Sequence, residues 1–227
     1  MRIKSIRAQV TRIPLDEPLA GGPPYFRSHN QFVLVRVDTD DIQGIGVSFM
    51  GGMLSASLKQ AIEQLGELIV GEDPLRIEAL LQKLRMAGAS AGPGGILTLP
   101  VAGIDMALWD IKGKFFGQSL AVLLGGLRDR VPTYASGALV RAYPIDHLVE
   151  AARTLVEKGF KAMKTQLALP GDTTPAREAE HARRIREAVG PDIDLMCDIN
   201  QRWSVHQAMH IGKQVEEVNF YWLEDVT

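Results

Sequence analysis

The sequence predicts an antiparallel α+β module followed by a parallel α/β module. In the first part of the chain the extended runs come first and the helical runs after them. From about Arg130 the pattern changes to strict alternation of strand and helix. No stretch reaches the roughly 20 consecutive apolar residues of a membrane-spanning helix.

The first module opens with Ile3, Ile6, Ala8 and Val10 in an extended run. Residues 31–37 (QFVLVRV) are rich in β-branched residues, Asp38 to Asp41 signal a turn, and residues 42–49 resume an extended pattern. Between the first two strands lies EPLAGGPPYFRSHN, a Gly- and Pro-rich loop of a size that is often functional. Residues 55–70 then carry Leu58, Ile62, Leu65 and Ile69 at helical spacing. Asp73 and Pro74 read as the cap and first position of a second helix, with Leu75, Ile77, Leu80, Leu81 and Leu84. Pro100 reads as the opening of a third, with Ile104, Ala107, Leu108 and Ile111. A short helix over 119–124 stops at Gly125 and Gly126.

The second module begins with a strand over 131–136 (VPTYAS). A helix over 146–158 turns Leu148, Ala152, Leu155 and Val156 to one face, and a strand over 161–167 follows. Thr174 and Pro175 open the next helix, with Ala179, Ala182, Ile185 and Val189 inward. A strand over 193–198, a helix over 204–215 and a strand over 219–224 complete a βαβαβαβ pattern, that of a parallel sheet covered by helices. The expected domains are 1–128 and 129–227.

Composition excludes several function classes. With 46% hydrophobic residues there is enough apolar material for a core, so disorder of the whole chain is excluded. Lys and Arg total 25 against 27 Asp and Glu, so no positive excess points to nucleic acid or an anionic membrane surface. The single cysteine, Cys197, cannot form an internal disulfide, which points to the cytoplasm. The N-terminal run lacks the apolar core of a signal peptide.

In parallel α/β folds, sites form at the carboxyl ends of strands. The second strand of the parallel module ends Lys164-Thr165-Gln166, the third Asp198-Ile199-Asn200, and the fourth Glu224-Asp225. A lysine and two carboxylates thus fall at the same end of three consecutive strands. Paired carboxylates suit a hard divalent cation such as magnesium (Mg2+). A cation there would stabilise the charge that develops when a proton is taken from the carbon beside a carboxylate. Lys164 would neutralise or accept a proton according to its pKa.

The combination of these stretches with AGIDMALWDIKGKFFGQSLAVLLGG (102–126) resembles the enolase superfamily, in its mandelate racemase/muconate lactonizing enzyme branch. GFKAMKTQ, DLMCDINQRW and YWLED are similar to that family's second, third and fourth barrel-strand motifs, in the right order. The resemblance implies an α+β capping domain followed by the first half of a (β/α) barrel with parallel strands. It also implies Mg2+-assisted abstraction of the proton α to the carboxylate of a hydroxy acid or sugar acid, as in a dehydratase, racemase or epimerase. By that resemblance Asp198 and Glu224 are metal ligands, Asn200 faces the substrate, and Lys164 is the first lysine of a Lys-x-Lys pair. Tyr25, Arg27 and His29 lie in the capping loop that shapes specificity, and residues 49–53 (FMGGM) in a second such loop. The partners expected are a small-molecule carboxylate and, from the exposed edges of a half-barrel, further copies of the chain in a homo-oligomer, with no nucleic acid and no membrane.

The chain departs from the family pattern in three places. Gln166 replaces the second lysine, and an amide hydrogen-bonds but cannot take a proton. Val226 stands where the family usually has proline. The sequence ends at Thr227, before the strands expected to bring a third metal ligand and a His-Asp dyad, so a catalytically incomplete remnant or assembly half is the alternative. Among the remaining residues, His206 and His210 read as surface or packing groups and Trp109 as core. Trp203 reads as pocket wall or packing, Cys197 as a buried inert thiol. Asp225, of opposite strand parity to Glu224, ranks as the weaker ligand.

Overall fold

The computed structural model describes residues 1–15, 20, 29–49, 53–171 and 173–227. They form two compact units that part after Asp129. Ala20 belongs to the second, where it packs on the core.

In the first unit, β1 (Ile3–Pro14), β2 (His29–Thr39) and β3 (Gln43–Ser48) form an antiparallel sheet in that order. Alternation along the strands buries Ile6, Ala8, Val33, Val35 and Val37 on one face. Helices α1 (Ser55–Glu67), α2 (Ile77–Ala87) and α3 (Gly95–Phe116) bury Leu58, Ile62, Leu80, Leu84, Ile104 and Leu108 in the same core. A short α4 (Leu120–Leu123) is capped by Ser119, whose Oγ accepts the Val122 N–H at 3.3 Å.

Two helix starts differ from the sequence expectation. Asp73 does not cap a helix at Pro74; its Oδ1 accepts the Leu75 N–H at 3.0 Å in a turn, and α2 starts at Ile77. The third helix starts at Gly95, so Pro100 lies inside it rather than at its first turn. The lost hydrogen bond is tolerated because Leu97, Val101 and Ile104 on either side of it are buried in the core.

The second unit is a parallel sheet in the order β4 (Ala135–Leu139), β5 (Ala162–Gln166), β6 (Asp194–Asp198), β7 (Leu223–Glu224). Helices α5 (Ile145–Glu157), α6 (Pro175–Val189) and α7 (Val205–Gln214) make the crossovers. Thr174 caps α6 ahead of Pro175, and Ser204 with Gln207 forms a capping box on α7. Leu148, Ala152, Leu155, Met163, Ala182, Ile185, Leu195 and Cys197 share one core. The fold is therefore an antiparallel α+β unit followed by four parallel strands of a (β/α) architecture. The first parallel strand starts at Ala135, not Val131: Pro132 has no N–H for a ladder, and pairing with β5 begins at Ala135 opposite Met163. The last shrinks to two residues because Asn219, at φ 53°, is still leaving the preceding 3₁₀ turn.

Two buried groups on α6 support the site end of the sheet. Glu178 is fully buried, and its carboxylate accepts the N–H groups of Ala168 (3.0 Å) and Leu169 (2.9 Å). It thereby pins the loop that leaves β5, where Ala168 holds a left-handed φ of 62°. Glu178→Ala would strand both donors and is expected to cost about 3 kcal/mol in urea unfolding. His181 is buried, and its Nε2 has no partner among the described residues. Burial, with Arg177 and Arg184 nearby, holds its pKa down at about 4. The folded state thus binds fewer protons than the unfolded one, so this contribution is complete above the ordinary histidine value and fades as pH falls toward 4. Unfolding free energy should drop by about 2–3 kcal/mol more in wild type than in His181→Gln between pH 7 and 4.5.

Candidate active site

Strand register assembles the polar cluster. Gln166 is the Cα partner of Asp198, and Asp198 that of Glu224, so three side chains line up across β5, β6 and β7. Lys164, two residues before Gln166, shares its face of β5. The odd-numbered neighbours Met163, Leu195 and Cys197 face the helices and belong to the core. Burial pushes the Cys197 thiol well above its ordinary range, which makes it inert.

Lys164 Nζ lies 2.8 Å from Glu224 Oε1 and 3.7 Å from Asp198 Oδ2, with only 13% of its side chain exposed. Burial opposes its charge, but the hydrogen bond and charge of Glu224 outweigh that, and its pKa lies above the usual lysine value. The same hydrogen bond, helped by one from Trp222, holds Glu224 below the usual carboxylate range against a smaller opposing effect of burial. The contact with Glu224 thus favours the charged form of Lys164. Tyr134 and Trp222 pack edge to face at 5.7 Å, and the Tyr134 ring lies 5.8 Å from Lys164 Nζ. Neither aromatic stands out in the sequence.

Asp198 is buried and its carboxylate is held on both oxygens by one residue. Asn200 donates its backbone N–H to Oδ1 (2.8 Å) and its side-chain N–H to Oδ2 (2.7 Å). Asn200 can do so because it turns back at φ 53°, a conformation asparagine tolerates. Asp225 is also in a left-handed conformation, at φ 49°, which breaks strand parity. Its carboxylate joins those of Asp198 and Glu224, with one oxygen of each within 4.8 Å of the others. Strand parity therefore does not keep Asp225 away from the cluster, where it is the exposed member beside buried Asp198. Three hard oxygen donors at that spacing fit a divalent cation with oxygen preference.

Arg141, which the sequence analysis did not single out, joins the cluster through Asn200. It lies two residues beyond the end of β4, and the early placement of that strand hid it. His29 begins β2 in the first unit, opposite Pro14. Tyr25 and Arg27 lie outside the described residues, as do Met50, Gly51 and Gly52 of the second loop. His206 and His210 stack at 4.3 Å on the exposed side of α7. The acid trio is the one metal-competent cluster among the described residues. Trp203 is buried.

Comparison with known proteins places this cluster in context. Residues 24–125 match the mandelate racemase / muconate lactonizing enzyme N-terminal domain, and residues 147–227 match the enolase C-terminal domain-like family. The chain belongs to the enolase superfamily. It is 28% identical to the L-talarate/galactarate dehydratase of Salmonella typhimurium, over 99% of this chain and 57% of that protein. It is 34% identical to a D-galactonate dehydratase family member of Streptomyces bingchenggensis, over 86% of this chain and 54% of that protein. Among solved superfamily structures, a racemase from Streptomyces coelicolor with bound magnesium superposes with a TM-score of 0.85 at 26% identity, covering 99% of this chain and 62% of that one. The 3,6-anhydro-D-galactonate cycloisomerase of Zobellia galactanivorans gives 0.83 at 28%, covering 100% and 59%. The chain spans a little over half the length of these relatives. Among the described residues no helix is long and apolar enough to cross a membrane.

Proposed function

We propose that this superfamily member takes part in Mg2+-assisted abstraction of the proton α to the carboxylate of a hydroxy acid or sugar acid, in a dehydratase, racemase or epimerase reaction. The observation that carries this reading is the convergence of Lys164, Asp198 and Glu224 at three adjacent strand ends, with Lys164 Nζ 2.8 Å from Glu224 and 3.7 Å from Asp198. Asp198 and Glu224 would hold the cation, with Asp225 within reach of both. When bound, Mg2+ supplies the positive charge that stabilises an enolate-like intermediate. Lys164, held as a cation by Glu224, would bind the carboxylate end of the substrate. Gln166 would hydrogen-bond where a second lysine would act as base, so the base comes from elsewhere. Asn200 would face the substrate, and Tyr25, Arg27 and His29 belong to the loop that the family resemblance makes a specificity loop. The names of relatives support the class: they include acid-sugar dehydratases, cycloisomerases and a racemase.

The test is exchange of the α-proton in D₂O across a panel of sugar acids, with and without Mg2+. Metal-dependent exchange by the 227-residue chain would support the reading. A second reading is a catalytically incomplete remnant or assembly half. It is favoured by Gln166, an amide without a usable basic pKa, in the base position. That reading expects no exchange by the chain alone, and exchange would sink it. Cytoplasmic residence and self-association are parts of the proposal; sizing by light scattering checks the latter.

A further inference from the structure

The site's polar network continues beyond the metal-competent acids to one buried cation. Arg141 is 6% exposed, and it makes no ion pair among the described residues. Its guanidinium instead donates to carbonyls and an amide: Nη1 to Ile199 O (3.3 Å), and Nη2 to Asp198 O (3.0 Å) and Asn200 Oδ1 (2.6 Å). Gln166 Nε2 donates to that same Asn200 oxygen at 3.3 Å. Asn200 Oδ1 therefore receives two donors, and only its Nδ2 is left to reach Asp198 Oδ2.

An asparagine amide has two orientations of nearly equal shape, and only its partners choose between them. Arg141 has no acceptor atom, so it can face only the oxygen. With the amide reversed, two donors would meet at Arg141 and a lone pair would face the Asp198 carboxylate. The chain of consequence then reaches Gln166. One of its two N–H donors is taken by Asn200, which anchors the nitrogen end of the Gln166 amide.

We propose that Arg141 is a positioning residue. It fixes the Asn200 amide so that Asn200 orients the Asp198 carboxylate and anchors the nitrogen of the Gln166 amide. This rests on the metal-site reading for its effect on cation binding, and on the geometry alone for its effect on the two amides. Fork geometry matters as well as charge, because Arg141 spans three acceptors on consecutive residues. A lysine supplies the charge from a single point and cannot span them.

Two readouts test this in the full 227-residue chain. The first is the side-chain amide signals of Asn200 and Gln166 in ¹⁵N-resolved NMR, without metal. Arg141→Lys and Arg141→Met should shift both pairs, while backbone signals of the distant α6 C-terminus stay in place. Unmoved amide signals in folded Arg141→Lys would overturn the proposal. The second is Mn2+ affinity, with Mn2+ as the probe. Each variant should bind about tenfold more weakly, the scale of losing a group that orients a ligand. In an Asn200→Ala background the same substitutions should change affinity little, because the intermediary is gone. Tighter binding in Arg141→Met would mean that Arg141 acts by charge repulsion, and independent, additive losses would mean that it does not act through Asn200; either result refutes the positioning role. If wild type binds no Mn2+, the metal reading fails, and the amide signals still decide the role of Arg141. Should Arg141→Met not fold, Arg141→Lys carries both measurements.

Discussion

Asp198→Asn is expected to remove most of the rise in melting temperature that Mg2+ gives the wild-type chain. The argument is linkage: a cation that binds only the folded state adds about 2.7 kcal/mol at a hundred times its dissociation constant. For a chain of this size that is about 5–10 °C. Asp198 is buried at the end of β6 and oriented on both oxygens by Asn200, so it is the best-prepared donor of the acid trio. Groups that only orient a metal ligand are worth 10–100-fold in affinity. Loss of the charged ligand itself should cost about 100-fold or more, which at the same Mg2+ concentration leaves less than about 0.5 kcal/mol of stabilisation. Without metal the variant should melt somewhat below wild type, because its new NH2 replaces one of the two oxygens that accept from Asn200, so the readout is the rise that Mg2+ gives each protein over its own metal-free value. An equal Mg2+ response in both proteins would remove Asp198 from the metal site. No response in wild type would remove the metal from the proposal.

The second large effect belongs to the first unit. Gly46→Ala should cost about 3 kcal/mol and lower the melting temperature by about 10 °C. Gly46 sits in β3 where α3 crosses closest. A Cβ there would overlap the carbonyl oxygen of Gly103 and come within 2.9 Å of the Ala107 nitrogen. Both are backbone atoms of one helix, so no rotamer change relieves the overlap and the helix must move off the sheet. That helix also carries Ile104, Leu108 and Ile111, so displacement opens the core along several turns. By contrast, Gly71→Ala and Gly92→Ala meet no atoms; their penalty is the left-handed backbone alone, at φ 84° and 74°. A melting temperature for Gly46→Ala no lower than for Gly92→Ala would show that the β3–α3 contact can relax.

Residue pattern alone determined which segments are strands and helices and in what order. Apolar residues recurring at two or at three to four positions reflect which face meets the core, and that is a local property of the chain. The same periodicity put Lys164, Asp198 and Glu224 at corresponding strand ends, because parallel strands joined by helices bring like ends together. Element starts were less legible. Pro74 and Pro100 are helix-opening residues by local chemistry, yet a turn at Asp73 and the buried apolar flanks of Pro100 overrode them. Tertiary structure alone decided three features of the site. Asp225 reaches the acid cluster only because its backbone turns left-handed at the strand end, which no parity rule anticipates. Tyr134 packs against Trp222 beside Lys164 although the two aromatics are 88 residues apart in numbering. Arg141 reaches Asn200 across a sequence separation of 59 residues. Contacts of that range depend on how strands pair and where each one begins, and pairing is a property of the assembled sheet, not of any segment read by itself.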